Sequence, residues 1–184
     1  MSDLTFVELA EGVFAARLFS ARESEAILAI AQRRKWHKAR VGNKVGDLVK
    51  REVRSAGVLY DRDIPQLAAF IRRRVLVGSE SFSARLGSTA PILDGLQIIR
   101  YRPGGFYATH KDNPGGERDN RRQVTVVVYL NEDFRGGGLV FTKLDYTFTP
   151  RTGHVLLFPS HYPHKAETVV EGIKYIIATW YLAS

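Results

Sequence analysis

The chain of 184 residues contains no cysteine. That excludes disulfide scaffolds, thiolate metal sites and cysteine nucleophiles together. No stretch of about 18 uncharged apolar residues occurs, so no membrane-spanning helix is expected. The opening residues, Met1 to Glu8, carry acids where a secretory leader needs a basic segment and then an apolar run, so a soluble cytoplasmic protein is the expectation. Internal repeats and low-complexity tracts are also missing. With 45% hydrophobic and 25% charged residues, the composition is that of a globular chain and excludes fibrous and disordered classes.

Acids are outnumbered, at 19 against 27 Lys and Arg, for a net charge of +8. The excess is concentrated. Arg33, Arg34, Lys35, Lys38, Arg40, Lys44, Lys50, Arg51 and Arg54 are opposed only by Asp47 and Glu52, which places +7 of the charge in one segment. Such a run is either a solvated loop or a surface that attracts an anionic partner: an acidic protein segment, a carrier phosphate or nucleic acid. Trp36 and His37 lie within it, but one aromatic pair is too little for a base-stacking platform.

Ser20-Ala-Arg-Glu23 has the form of a capping box, and Ala26, Ile27, Ile30 and Ala31 recur at helical spacing, which predicts a helix over about 21–36. A second helix is predicted after Asp63, with Pro65 in its first turn and Leu67, Phe70, Ile71 and Val75 on one face. Gly78 and the Ser/Gly-rich stretch to residue 95 are expected to end it. From Leu96 onward the pattern changes to short β-branched and aromatic runs. These are Leu96–Tyr101, Phe106–His110, Val124–Leu130, Leu139–Thr142, Tyr146–Thr149, His154–Phe158, Ala166–Val170 and Lys174–Leu182. Many short strands suggest a sheet folded on itself, with the helices covering one outer face: an α+β jelly roll.

The chemistry-bearing residues gather in this half. In His110-Lys111-Asp112, strand alternation would put the imidazole and the carboxylate on one face. A further histidine from a distant strand would complete a 2-His-1-carboxylate set with open positions, which suits non-haem Fe(II). His154, His161 and His164 are all candidates for it. Alone the motif is weak, since chance gives a His-x-Asp in roughly one sequence of four with this composition. Alternation also puts Lys174, Ile176, Ala178 and Trp180 on one face. A lysine turned into an apolar barrel needs an anion, whereas one at a strand start can reach water, and the residues leave both open. Tyr101, Tyr107 and Tyr129 fall on the flanking strands, where a buried hydroxyl needs a partner.

These residues resemble the 2-oxoglutarate- and Fe(II)-dependent prolyl 4-hydroxylases. The resemblance rests on Tyr101-x5-Tyr107-x2-His110-x-Asp112, on His164-x9-Lys174 followed by Trp180, and on Gly136-Gly-Gly-Leu-Val-Phe141. Asp112-Asn-Pro-Gly-Gly, Tyr129-Leu-Asn and Ala178-Thr-Trp-Tyr181 are similar to the hypoxia-sensing prolyl hydroxylases, and Arg51-Glu-Val-Arg-Ser-Ala-Gly57 to a run ahead of the core in the first group. The match is strong over 96–182 and fainter over 14–95.

The resemblance implies a double-stranded β-helix with the N-terminal helices packed on one side, as a single oxygenase domain over 1–184. Within it, 1–95 would form helical support with a mobile basic loop, and 96–184 the core. It selects His164 as the third ligand beside His110 and Asp112, and leaves His154 a structural role. Lys174, helped by Tyr129, would pair with the far carboxylate of 2-oxoglutarate, with Tyr101 and Trp180 beside the cosubstrate. Lysine offers a compact point charge where many related oxygenases have arginine. Substrate contacts fall to Arg51, Arg54 and Tyr107, and ascorbate is the expected reductant. The implied activity is hydroxylation of a prolyl residue in a protein or peptide, with the basic segment closing over an acidic flank. Rival readings are a hydroxylase of free or carrier-tethered amino acids and a non-catalytic metal-binding module. A nucleic-acid demethylase is a further rival, disfavoured because no paired arginines follow the distal histidine.

Overall fold

The computed structural model describes residues 4–39, 53–86, 92–113 and 121–182. Five short strands precede the long second helix or flank the first: β1 (Val7–Ala10), β2 (Val13–Arg17), β3 (His37–Lys38), β4 (Arg54–Ser55) and β5 (Gly57–Tyr60). The helices are α1 (Ala21–Gln32) and α2 (Pro65–Leu86). Ten strands follow: β6 (Ile92–Tyr101), β7 (Phe106–His110), β8 (Arg122–Tyr129), β9 (Arg135–Gly136) and β10 (Leu139–Phe141), then β11 (Tyr146–Phe148), β12 (His154–Pro159), β13 (His164–Ala166), β14 (Val169–Glu171) and β15 (Lys174–Leu182). No helix among the described residues is long and apolar enough to cross a membrane.

The strands form an eight-stranded sheet in the order β1-β2-β12-β8-β15-β6-β5-β3 and a five-stranded sheet in the order β11-β10-β13-β7-β4, with β9 and β14 paired separately. All the pairings are antiparallel. This is the jelly-roll architecture expected, with the two helices on one face of the larger sheet. Period-two alternation assigns the two faces. On β15, Tyr175, Ile177 and Tyr181 join the cluster under the helices, whereas Ile176, Ala178 and Trp180 join the one between the sheets. Strands β8 and β12 divide the same way, at Val126 and Val128 against Val127 and Tyr129, and at Val155 and Leu157 against Leu156 and Phe158.

The Ser20 box caps α1 as the sequence predicts: Glu23 N–H donates to Ser20 Oγ at 3.2 Å and Ser20 N–H to Glu23 Oε2 at 2.8 Å. The helix buries Ser24, Ile27 and Ala31 and stops at Gln32, so Trp36 lies beyond it and His37 begins a strand. Helix α2 corrects the expected end at Gly78. It runs through that glycine to Leu86, and a Cβ there would sit 2.7 Å from the Leu4 side chain. The glycine therefore serves close packing rather than termination. Phe70, placed on the core face by spacing, is 43% exposed and stacks on Phe19 instead. The N-terminal region is also more than helical support, because β1, β2, β3 and β5 widen the large sheet and β4 adds to the small one. The run Ala166–Val170 is split between β13 and β14. Most of the basic segment, including Arg40, Lys44, Lys50 and Arg51, lies outside the described residues.

One glycine locks the N-terminal strand to the barrel. Gly153, at φ +76°, accepts hydrogen bonds from Leu18 and Phe19 N–H at 2.9 and 3.0 Å and donates to the Tyr129 carbonyl at 2.8 Å. An added Cβ would collide with the Phe19 carbonyl. Gly104 has the same handedness, at φ +79°, but open space around it. Gly104→Ala should therefore cost only the left-handed backbone term, about 1–2 kcal/mol, and Gly153→Ala clearly more, as read by urea unfolding of both variants.

Candidate metal centre and buried lysine

The small sheet aligns two imidazoles. His110 ends β7 and His164 begins β13, and the two residues pair directly across these neighbouring strands. Their rings lie 4.3 Å apart. Each Nδ1–H donates to a carbonyl two residues back, His110 to Ala108 and His164 to Tyr162, both at 2.9 Å. This leaves both Nε2 lone pairs free to face the same point.

Asp112 joins them by a different device from strand alternation. Strand β7 ends at His110, and the chain then bends so that Asp112 and Asn113 N–H both donate to the Ser160 carbonyl at 3.0 Å. The Asp112 oxygens come to 3.5 Å from His110 Nε2 and 3.6 Å from His164 Nε2. All three ligand atoms lie within 4.8 Å of one another. Thr125 Oγ1 donates to Asp112 Oδ2 at 2.8 Å and itself lies 3.0 Å from Ser160 Oγ. Burial pushes the Asp112 pKa up, but the two imidazoles beside it and the nearby indole N–H of Trp180 outweigh it and hold the carboxyl well below its ordinary range. Burial lowers the His164 pKa and keeps that ring neutral, the form that ligates a metal. His154 and His161 stay outside the cluster. His154 sits at the start of β12 with Nδ1 3.3 Å from the Thr152 carbonyl, and His161 packs edge-on against Tyr162.

Lys174 does not reach water. It is 1% exposed, donates to the Gly137 carbonyl at 2.6 Å, and lies 5.3 Å from the ring centroids of both Tyr101 and Tyr129. Burial pushes its pKa down to about 7, against the opposing charge of Glu167. The Tyr129 hydroxyl, equally buried, makes no hydrogen bond among the described residues. An ammonium and an unsatisfied phenol side by side in an apolar interior form a ready receptor for a carboxylate.

Tyr107 stacks on His110, with centroids 3.5 Å apart at 18°. Arg54 pairs with Tyr107 across β4 and β7 and lays its guanidinium 4.6 Å from the Tyr107 ring. The same guanidinium lies near the buried Tyr101 hydroxyl, whose pKa burial raises, and burial lifts that of Tyr107 to about 12. Trp180 lies at 6% exposure beneath the Arg122 guanidinium. Arg51 is outside the described residues. Thr125 and Ser160 are not among the residues the sequence marks, and Gly137 is marked only within the run Gly136-Gly-Gly-Leu-Val-Phe141. The only hint for Thr125 is a single hydroxyl inside the run Val-Thr-Val-Val-Val, and Ser160 and Gly137 act through contacts distant in sequence.

Residues 96–182 match the family model of the 2OG-Fe(II) oxygenase superfamily. A PKHD-type hydroxylase of Crocosphaera subtropica is 32% identical over 96 residues, covering 48% of this chain and 42% of that protein. A putative prolyl 4-hydroxylase of Acanthamoeba polyphaga mimivirus is 31% identical over 110 residues, covering 48% and 44%. The chain thus spans somewhat less than half the length of these curated relatives. A prolyl hydroxylase from Trichoplax adhaerens, solved in complex with a hypoxia inducible factor oxygen degradation domain peptide fragment, superposes with a TM-score of 0.73 at 21% identity, over 93% of this chain and 83% of that one. The matched segment carries most of β6 and all of β7 to β15, and its similarity to the 2OG-Fe(II) oxygenase superfamily falls on the strands that bring His110, Asp112 and His164 together and bear Lys174.

Proposed function

We propose that the protein is an Fe(II)- and 2-oxoglutarate-dependent dioxygenase that hydroxylates a prolyl residue in a protein or peptide, releasing succinate and carbon dioxide. One observation carries this reading: a His-Asp-His cluster shares the barrel interior with a buried ammonium and a buried phenol that have no anionic partner in contact among the described residues. Two imidazoles and one carboxylate are a donor set that Fe(II) accepts while retaining open positions, so the residues fit the family's metal. The orphaned Tyr129 hydroxyl beside Lys174 fits the far carboxylate of the family's cosubstrate. When bound, the iron and the keto acid supply the oxidising power, dioxygen being divided between substrate hydroxyl and succinate.

The chain's own part is to hold and orient. His110 and His164 would ligate through Nε2, their protons fixed on Nδ1 by the Ala108 and Tyr162 carbonyls. Asp112 would supply the negative ligand, with Thr125 holding its second oxygen. Phe158, edge-on to His164 at 4.8 Å, helps keep water from that side. Lys174 would neutralise the distal carboxylate and Tyr129 donate to it. The partly exposed Tyr107 shelf, backed by Arg54, is the proposed seat of the substrate ring. The exposed Arg33, Arg34, Lys35 and Lys38 suit an acidic flank. Ascorbate is the proposed reductant that keeps the iron ferrous.

The test is mass spectrometry of proline-containing peptides with acidic and neutral flanks, incubated with protein, Fe(II), 2-oxoglutarate and ascorbate. One added oxygen matched by succinate is expected. Oxygen added to free proline but to no peptide would move the substrate to an amino acid. Absence of both cosubstrate binding and succinate would leave a metal-binding module without catalysis.

Asp112→Ala should abolish turnover and metal binding while the barrel still unfolds cooperatively in urea. Lys174→Ala should weaken 2-oxoglutarate binding about 100-fold, the loss of a buried charged contact of roughly 3 kcal/mol, and change metal affinity only a few-fold. Titration calorimetry separates the two effects.

The buried lysine also sets a pH dependence. An arriving carboxylate favours the ammonium, so binding takes up a proton wherever Lys174 is neutral beforehand. Cosubstrate affinity should be flat below pH about 7 and fall by up to about tenfold per unit above it. Calorimetry in buffers of different ionisation enthalpy reads that uptake. In the unliganded protein, unfolded lysine keeps its proton to its ordinary 10.5 while the folded form releases it near 7, so this group makes stability rise with pH across that window.

A further inference from the structure

Two irregularities in the large sheet flank Trp180. Between β15 and β6, Ala178 pairs with Gln97 but Trp180 with Asp94, so β6 carries one extra residue. Between β15 and β8, Tyr181 pairs with Val124 but Leu182 with Arg122, so β8 also carries one extra. Uninterrupted pairing would set Gly95 opposite Trp180 and Gln123 opposite Leu182. The bulges instead turn Asp94 and Arg122 to the face that bears Trp180, and re-aiming a side chain beside a functional site is a recurring use of bulges. Thr179 pins the first by donating to the Asp94 and Gly95 carbonyls at 3.0 and 2.7 Å.

The two side chains so turned meet each other. Arg122 Nε and Nη2 both reach Asp94 Oδ2, at 2.9 and 2.8 Å, with each side chain only 13% exposed. The guanidinium lies 3.8 Å from the Trp180 ring. The indole N–H beneath it is buried and lies near the Asp112 carboxylate, without strict hydrogen-bond geometry. The backbone of the β8 bulge holds the same loop: Asn113 Nδ2 donates to the Arg122 carbonyl at 3.0 Å and Ser160 N–H to the Gln123 carbonyl at 2.9 Å.

We propose that Asp94 and Arg122 are positioning residues for the metal centre, their ion pair clamping Trp180 in the orientation that supports Asp112. This rests on the metal-centre reading given above. A planar guanidinium anchored by a carboxylate can both stack and stay fixed, whereas lysine can do only the second. Partners of this kind, one step removed from the ligands, change metal affinity about 10- to 100-fold.

Co(II) alone is the probe, followed by titration calorimetry and by its visible absorption spectrum, with urea unfolding to verify the fold. Asp94→Asn, Arg122→Lys and Trp180→Phe should each weaken Co(II) binding about tenfold and alter the spectrum. Because the pair acts through the indole, Asp94→Asn combined with Trp180→Phe should be no weaker than Trp180→Phe alone. Additive losses, or unchanged affinity and spectrum in folded Asp94→Asn or Arg122→Lys, would overturn the proposal. If Asp94→Asn does not fold, Arg122→Lys, which keeps the charge pair, decides the question. Wild-type protein that binds no Co(II), or His110→Ala that binds it undiminished, would instead overturn the metal-centre reading, and the clamp with it.

Discussion

Lys174 has 1% of its surface exposed and makes its described hydrogen bond to a neutral carbonyl. Removing an ammonium from water costs several kcal/mol, which one carbonyl and two aromatic faces at 5.3 Å only partly offset. The surrounding structure is shaped to tolerate that deficit. Strand β15 lies inside the large sheet between β8 and β6, so the residue cannot rotate away to solvent. Tyr101 stands directly opposite it on β6. Gly137 keeps its carbonyl at the ammonium because a Cβ there would come within 3.2 Å of the Lys174 stem. The fold thus sacrifices stability to keep a positive charge ready in an apolar interior, and a carboxylate is the ligand that would return it.

Much of this interior was legible because strands write their two faces in period two. The bounds of Phe106–His110 and Lys174–Leu182 match the sequence reading to the residue, and the inward set of Lys174, Ile176, Ala178 and Trp180 follows from alternation. What alternation could not settle was whether Lys174 reached water, since that depends on β6, β8 and the Gly137 turn closing around it. The N-terminal strands were illegible for another reason. Runs of two to five residues such as Arg54–Ser55 carry no period of their own and become strands only by pairing with an existing edge. Gly78 misled because a glycine marks either a helix end or a close approach, and only the position of Leu4 decides between them.

The polar residues around the centre share this dependence on distant contacts. Asp112 belongs to no strand, and its place is set by the Ser160 carbonyl, 48 positions on. Asp94 and Arg122 face inward only because each precedes a bulge, and a bulge shifts register without leaving a compositional mark beyond Gly95. The resemblance that selected His164 carried information the local residues did not, since His154 makes the same contact to a carbonyl two residues back and yet stands apart from the cluster.

That comparison indicates where the centre needs support. A histidine fixed by its own strand is common to all three positions, and what separates His110 and His164 from His154 is that β7 and β13 pair them directly. Their spacing is therefore set by the sheet before any ligand arrives. Asp112 has no such frame, so its orientation must be built from individual contacts. Two backbone donors fix its peptide, Thr125 holds one carboxylate oxygen and is itself held by the Ser160 hydroxyl, both at under 2% exposure, and the Trp180 indole lies near it from β15. The buried hydroxyls and the indole cluster at the carboxylate rather than at the imidazoles because it is the one member of the three whose position the pleat does not dictate.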